Sequence, residues 1–364
     1  MGNPRSPRRP TQADVARLAQ VSPSVVSAVV NGRHDGAVRA SEQTVQRVWE
    51  AVRQLGYSPN LAARSLAGGR NNIVGVFTYE AVFPTDRLSF FHDSLTGIEE
   101  AAEELDCHLL LFTGSRGRGQ DGGRRRRSIY KDGVNTLQVT DGAVLLGQDE
   151  DREELAALVG SGFPFVYIGR RELGSGEMSY VTADYTAATR GLVERCAGLG
   201  HRRLALLRSA IASEAVLERE AGYFEACRGD AGVESGAVHL VEPDTVPTEL
   251  LATLVDQGVT CVVTDDSNHA ASVRSGATRL GLRVPEDLSV VALGDFAGSR
   301  PDDPTITSLL TPRREMGGQA VRLLADLLAR PQDTAPRRAV ATCGMRGGQT
   351  LQAPPAAPSA PRSR

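Results

Sequence analysis

Ser24, Ser27, Ala28 and Asn31 stand at i, i+3, i+4 and i+7 in the stretch VSPSVVSAVVNG, residues 21–32. Two hydroxyls and a carboxamide along one helix face can hydrogen-bond phosphate oxygens or base edges. Pro23 and Ala28, which share that face, are small. A helix with so little bulk outside can enter a groove about 12 Å wide, and Ala28 could touch a thymine methyl. Val26, Val29 and Val30 fall on the opposite side, where they would pack inward. The same pattern also suits the solvated face of a small helical bundle. Elsewhere the chain holds no Gly-x-Ser-x-Gly, no P-loop and no paired histidines, so no catalytic constellation stands out. Its five cysteines (107, 196, 227, 261, 343) are scattered, with no C-x-x-C, which fits a reducing compartment.

Elements must position that helix. TQADVARLAQ starts with Thr11 and has Asp14 three residues on, a capping-box pattern, with Val15, Leu18 and Ala19 as its apolar stripe. Ser22 and Pro23 restart a helix after a turn of about three residues, the spacing of a helix-turn-helix. In SEQTVQRVWEAVRQLG, Val45, Val48, Trp49, Val52 and Leu55 mark the buried face, and Gly56 ends it. The segment NLAARSLA after Pro59 spans two turns, too short to stand alone in water, so it needs a partner to form. Residues 1–70 carry ten arginines against four acidic residues, a charge of +6 in a chain that is −3 overall. A basic head on an acidic body points to a polyanion as the head's partner.

From residue 72 apolar runs alternate with helical patterns. NIVGVF, CHLLLFT, DGAVLLG, FPFVYIG, RRLALLRS, VTCVVTDD and LSVVALGD read as strands. SFFHDSLTGIEEAAEELD, YTAATRGLVERCAGLG and EREAGYFEACRGDAG read as helices. Such alternation predicts a parallel sheet in each half, with a crevice at the carboxyl ends of the strands. The Gly-rich, four-arginine stretch at 116–133 reads as a solvated loop leading into a helix.

The strings TQADVARLAQVSPSVVSAVVNG, TVQRVWEAVRQLGYSPNLAARSLAGGR and NNIVGVF, in that order, resemble the LacI family of transcriptional regulators. The likeness runs from about residue 11 to 350. It implies that Ser22, Pro23, Ser24, Val25, Ser27, Ala28 and Asn31 face a major groove. Tyr57, Asn60 and Ala63 would also meet DNA, and Leu66 would wedge into a central base step of the minor groove. An inserted leucine costs a few kcal/mol of unstacking, offset by contacts that the bend permits. The family usually has Thr at the position of Val25 and Arg at that of Ala28. Losing that Arg removes a candidate bidentate guanine contact, so the resemblance implies an unusual operator read partly through bendability.

In the body, VTADYTAATRGLVERCAGLGHRRLALL and GLRVPEDLSVVALGD resemble the same family, whose body is similar to periplasmic sugar-binding proteins. Arg219 in REAGY matches an arginine that faces the effector; an arginine fork suits vicinal hydroxyls or a carboxylate. Asp265 or Asp266 matches a family Asn/Asp that either touches ligand or caps a helix. Ala292-Leu293-Gly294-Asp295 stands where the family reads G-[FY]-D-D, so Gly294 takes a usual carboxylate position. Either Asp295 substitutes, or the ligand is not a typical sugar, or there is none. Phe90, like Phe83 and Phe91, could stack on a sugar ring or fill the core. Gly200-His201-Arg202-Arg203 matches a structural turn.

The expected fold is a small all-α helix-turn-helix head followed by an α/β body of two parallel-sheet lobes. Its expected divisions are a disordered basic arm at 1–10, the head at 11–57, a hinge helix and linker at 58–70, the body at 71–350 and a disordered tail at 351–364. Within the body, the N-lobe is expected at about 71–170 with a returning segment near 297–315. The C-lobe takes about 171–296 with 316–350. The expected protein is a cytoplasmic repressor that binds a near-palindromic DNA operator as a homodimer, with no cofactor or metal. A small-molecule effector, sugar-related, would control it from the cleft. A transport-type binding protein would need no such head, and an enzyme would need chemistry this chain does not display.

Overall fold

The computed structural model describes residues 10–31, 39–58, 70–80, 88–113, 127–148, 150–211, 213–229, 232–242, 245–295 and 305–355. The chain divides into two compact units, Met1–Ile73 with Val139–Asp141, and Val74–Gln138 with Gly142–Arg364.

Among the described residues the first unit holds three helices: α1 (Gln12–Ala19), α2 (Pro23–Val30) and α3 (Glu42–Leu55). Asp14 accepts from both the backbone N–H (2.9 Å) and the hydroxyl (2.7 Å) of Thr11, fixing the start of α1. Gln20, in the left-handed region at φ 55°, ends it. Ser22 then caps α2 by accepting from the N–H of Val25, with Pro23 at the first helical position. The core is Val15, Ala16, Ala19, Val26, Val29, Val30, Val48, Ala51 and Val52. Two residues assigned to that core from the sequence lie outside it: Leu18 is 43% and Trp49 38% exposed. An amphipathic stripe on a helix is wider than the contact a three-helix core can cover, and Ala51 takes the inner position instead of Trp49.

The second unit has two six-stranded sheets. The N-lobe sheet runs β13-β7-β6-β5-β1-β2, from β1 (Ile73–Thr78), β2 (His108–Phe112), β5 (Gly142–Leu146), β6 (Phe165–Ile168), β7 (Ser179–Ala183) and β13 (Arg338–Ala341). The C-lobe sheet runs β14-β12-β11-β10-β8-β9, from β8 (Arg203–Ser209), β9 (Glu234–Val241), β10 (Cys261–Thr264), β11 (Ser289–Ala292), β12 (Thr307–Leu310) and β14 (Gly344–Arg346). Pairing along β13-β7-β6-β5-β1 is parallel, as it is along β12-β11-β10-β8-β9; β14 is an antiparallel edge. A small hairpin, β3 (Tyr130–Lys131) and β4 (Val134–Asn135), lies outside both sheets.

Helices cover both faces, as parallel sheets require. In the N-lobe they are α4 (Leu88–Glu104), α5 (Arg152–Gly160) and α10 (Arg313–Ala329); in the C-lobe α6 (Tyr185–Gly198), α7 (Glu214–Arg228), α8 (Thr248–Asp256) and α9 (Ser267–Arg279). No helix among the described residues is long and apolar enough to cross a membrane.

The lobe boundaries differ from the sequence-based ones. β7 belongs to the N-lobe, so that lobe's first pass ends at Ala183 rather than near 170. The returning segment is α10 and β13, residues 313–341, not 297–315. Met316, Ala320, Val321 and Leu324 sit in the N-lobe core. Each βα unit looks alike locally, and only long-range strand pairing decides which sheet a strand joins. The tail also begins later than expected: Leu351 packs on the C-lobe core, and the carbonyl of Gln352 accepts from His201 and Ser289. His201 is fully buried, its other ring nitrogen against Thr260, so the Gly200–Arg203 turn pins the chain end to the sheet. Residues 1–9 of the expected basic arm (1–10) and 59–69 of the expected hinge (58–70) lie outside the described residues.

Candidate functional site

In the head, the first turn of α2 is the exposed part: Ser22, Pro23 and Ser24. Val25, Ser27 and Asn31 are half-buried. The hydroxyls of Ser22 and Ser24 lie 2.8 Å apart, and the carboxamide of Asn31 donates to Ser27 at 3.2 Å. These internal hydrogen bonds hold the polar groups in one orientation and can be exchanged for partners outside. At the N-terminus of α2 the N–H groups of Val25 and Val26 are held by Ser22 and Pro23 has none, so the exposed serine hydroxyls are the groups this turn offers a phosphate. Ala28 is different: at 8% exposure it is buried rather than outward-facing. Its single methyl is short enough to sink between the flanking turns, so it is not available to a thymine methyl. Tyr57 is half-buried against the head core, and burial raises its phenol pKa. Asn60, Ala63 and Leu66 lie outside the described residues.

In the body, the carboxyl ends of β8, β10 and β11 bring Ser209, Asp265 and Gly294-Asp295 together. Asp265 accepts from the Ser209 N–H at 2.7 Å and pairs with His269 Nδ1 at 2.7 Å. Asp266 caps α9 through the His269 N–H at 2.9 Å, and its other oxygen lies 3.2 Å from the same ring. The sequence left these two aspartates as alternatives; both are engaged within the protein. His269 Nε2 meets the carbonyl of Glu242 at 2.9 Å. A carbonyl and a carboxylate can only accept, so both ring nitrogens donate and the ring is an imidazolium. Burial opposes that charge, but the two aspartates overcome it and lift the pKa to about 11. The ligand atoms of Asp265, Asp266 and His269 lie within 4.8 Å of one another, a spacing open to a metal. The doubly protonated ring has no lone pair to offer one. His269 was not singled out from the sequence; it stands four residues after Asp265 and three after Asp266, just past the strand end that carries them.

Asp295 accepts from Arg313 at 2.9 Å and from the Thr311 N–H at 3.2 Å. Arg219 lies on α7 with its guanidinium 4.5 Å from the centroid of Tyr185, the first residue of α6. Gly222 explains that placement, because a Cβ there would sit 2.2 Å from the carbonyl of Thr186. Without one, α7 lies close on α6, and Tyr223, fully buried, donates to the Leu204 carbonyl. The R-x-x-G-Y pattern is therefore an arginine plus the means of seating its helix. A Cβ at Gly294 would lie 3.3 Å from Arg219 Nη2, so the guanidinium lies against the bare backbone there. Phe90 belongs to α4, with its side chain outside the described residues, and Phe91 is buried in the N-lobe core.

The lobes meet across α7. Glu214 accepts from the Glu172 N–H (2.9 Å) and pairs with Arg152 (2.9 Å), with Arg171 at 3.8 Å. One turn later Glu218 accepts from Arg170 at 3.0 Å. The sequence reading missed this band, since nothing local pairs residues some fifty positions apart.

A helix-turn-helix head joined to a two-lobed α/β body of parallel sheets is the architecture of a class of DNA-binding regulators. Residues 11–60 match the model for bacterial regulatory proteins of the lacI family, and 193–350 match a periplasmic binding protein-like domain. The transcriptional regulator CelR of Thermobifida fusca is 33% identical over 92% of this chain and 96% of its own length. Among solved structures, a CelR–cellobiose complex has a TM-score of 0.60 at 27% identity, covering 94% of this chain and all of that one. The lac repressor dimer bound to operator and the anti-inducer ONPF has a TM-score of 0.67 at 22% identity, covering 95% of this chain and all of that one. The chain belongs to the LacI family of transcriptional regulators, and it is a DNA-binding regulator rather than an enzyme.

Proposed function

We propose that this regulator is a repressor, working in the cytoplasm as a homodimer on a near-palindromic operator, with a small sugar-related effector held between its lobes. The observation that carries this reading is the exposed, capped first turn of α2, Ser22-Pro23-Ser24, on a packed helix-turn-helix core. Ser22, Pro23, Ser24, Val25, Ser27 and Asn31 are the proposed DNA-facing residues of that helix, joined by Tyr57 and by Asn60, Ala63 and Leu66 of the linker. Buried Ala28 supports the helix without reading bases. In the body, Arg219 is the proposed direct effector contact. Asp265, Asp266 and Asp295 shape the cleft through their own hydrogen bonds. Two heads on one dimer read two half-sites, and effector changes DNA affinity by favouring one arrangement of the lobes.

The test is a mobility-shift titration of the full chain on its own upstream region against random DNA, over a range of salt. Preference for the upstream region is expected, with a log–log salt slope of about −0.9 per phosphate neutralised. Equal affinity for both DNAs would refute the sequence-specific reading.

A further inference from the structure

Among the described residues, Arg219 is the guanidinium at the carboxyl edge of the C-lobe sheet for which no hydrogen-bond acceptor is seen. Its Nε is buried without a hydrogen-bond partner, and its ring contact, Tyr185, presents only a π face. Every described carboxylate nearby is taken. Asp265 holds the Ser209 N–H and His269, and Asp266 caps α9. Asp295 holds Arg313, Glu218 holds Arg170, and Asp184 holds the Cys343 N–H at 2.7 Å. Gly294, against which the guanidinium lies, has no side chain to add. The cations in this set other than Arg219 therefore each have a carboxylate: His269 has Asp265 and Asp266, Arg313 has Asp295, and Arg170 has Glu218 and Glu172.

We infer that the effector is an anionic polyol, a sugar acid or sugar phosphate, whose oxyanion docks on Arg219 beside Gly294. The inference rests on the reading above that the cleft takes a small sugar-related molecule, and it specifies the class. A partly desolvated guanidinium gains most from an acceptor that also brings charge, and charge-assisted hydrogen bonds are roughly twice as strong as neutral ones. The planar fork offers two parallel N–H groups to a carboxylate or phosphate edge, while the stacked Tyr185 fixes the plane of approach. A neutral sugar would satisfy donors and leave the guanidinium with no carboxylate of its own, only the charge of Glu218, which is hydrogen-bonded to Arg170.

The test uses calorimetric titration of the full-length protein with matched pairs: D-gluconate and D-glucuronate against D-glucose, D-galacturonate against D-galactose, and glucose 6-phosphate against glucose. An acid is expected to bind at least about tenfold more tightly than its neutral partner. Carboxylate and phosphate arms separate the two sources of the oxyanion. Arg219→Gln should abolish that preference, with circular dichroism checking the fold. Gly294→Asp should lower acid affinity by about tenfold, because its carboxylate would take the same guanidinium. Tighter binding of a neutral sugar, or an acid preference that survives Arg219→Gln in a folded protein, would overturn the inference and leave effector control standing. Binding by neither class, with operator affinity unmoved by all of them, would remove effector control and this inference together.

Discussion

His269 carries a proton on each ring nitrogen because each faces an acceptor, and this gives it a pH signature. Its folded pKa is raised to about 11 from an ordinary value near 6.5, through Asp265 and Asp266 against the cost of burial. A raised pKa contributes stability that is complete below the unfolded value and is lost as pH climbs through the folded one. The melting temperature of His269→Gln should therefore fall furthest behind the parent below about pH 6.5. The gap should narrow steadily towards pH 11, as thermal melts across that range would show. A gap independent of pH would mean that the ring is neutral. The other buried histidine behaves oppositely: burial depresses the His201 pKa, and its role is to tie Thr260 to the chain end. Two histidines of one chain thus differ because one sits beside carboxylates and the other beside a hydroxyl and a carbonyl.

Helix ends and helix contacts set the next scale. Ser22 is the sole side-chain cap seen on α2, and Ser22→Ala should cost about 1 kcal/mol of head stability, read by denaturant unfolding. It should also weaken operator binding, since the same hydroxyl stands at the exposed turn. Gly222→Ala places a methyl 2.2 Å from the Thr186 carbonyl, in the tight seam between α6 and α7. Rigid helices cannot absorb that contact, so a loss of about 1–3 kcal/mol is expected by the same unfolding measurement. Arg219 rides on α7, so effector affinity should fall with it. The seam between α4 and α10 follows the same logic, with a Cβ at Gly317 only 2.2 Å from the Ser94 carbonyl. This seam holds the returning chain in the N-lobe.

Across the whole body, three chain passages join the lobes: Ala183 to Tyr185, Leu310 to Arg313 and Ala341 to Gly344. Short connections of this kind allow rotation while preserving each sheet. The ionic band from Glu214 and Glu218 to Arg152, Arg170 and Arg171 opposes separation of the lobes. Glu214 and Arg171 are nearly buried, and burial raises the Glu214 pKa less than its N–H and arginine partners lower it. Removing Glu214 leaves the Glu172 N–H without its acceptor and Arg152 and Arg171 with Glu150 alone, so the cost should fall below the roughly 3–5 kcal/mol of breaking an isolated buried pair. Glu214→Ala should therefore lower the melting temperature and speed hydrogen exchange in residues 170–172 and the first turn of α7. Unchanged exchange in both segments would show that the band does not hold the lobes together.

The sequence by itself determined what neighbours along the chain decide. Thr11 with Asp14, Ser22 with Pro23, and Gly56 placed three head helices, because caps and turns act within a few residues. The alternation of strands and helices gave two parallel sheets, and the ordered motifs carried the family resemblance. Tertiary structure decided the rest. Whether residues 313–341 returned to the first lobe depended on β13 finding β7 and α10 finding α4, pairings some 150 and more residues apart. Whether Asp265 was an open acceptor or a closed one depended on a histidine and on a backbone N–H from another strand. Ala28 was outward by helical period and inward in the packed head, since a periodic pattern gives direction but not how far neighbouring atoms reach. Arg219 was legible as a candidate from its motif. That its guanidinium lies unengaged against Gly294 emerged only when two strand ends and two helices met, because charge compensation is a property of space and not of spacing.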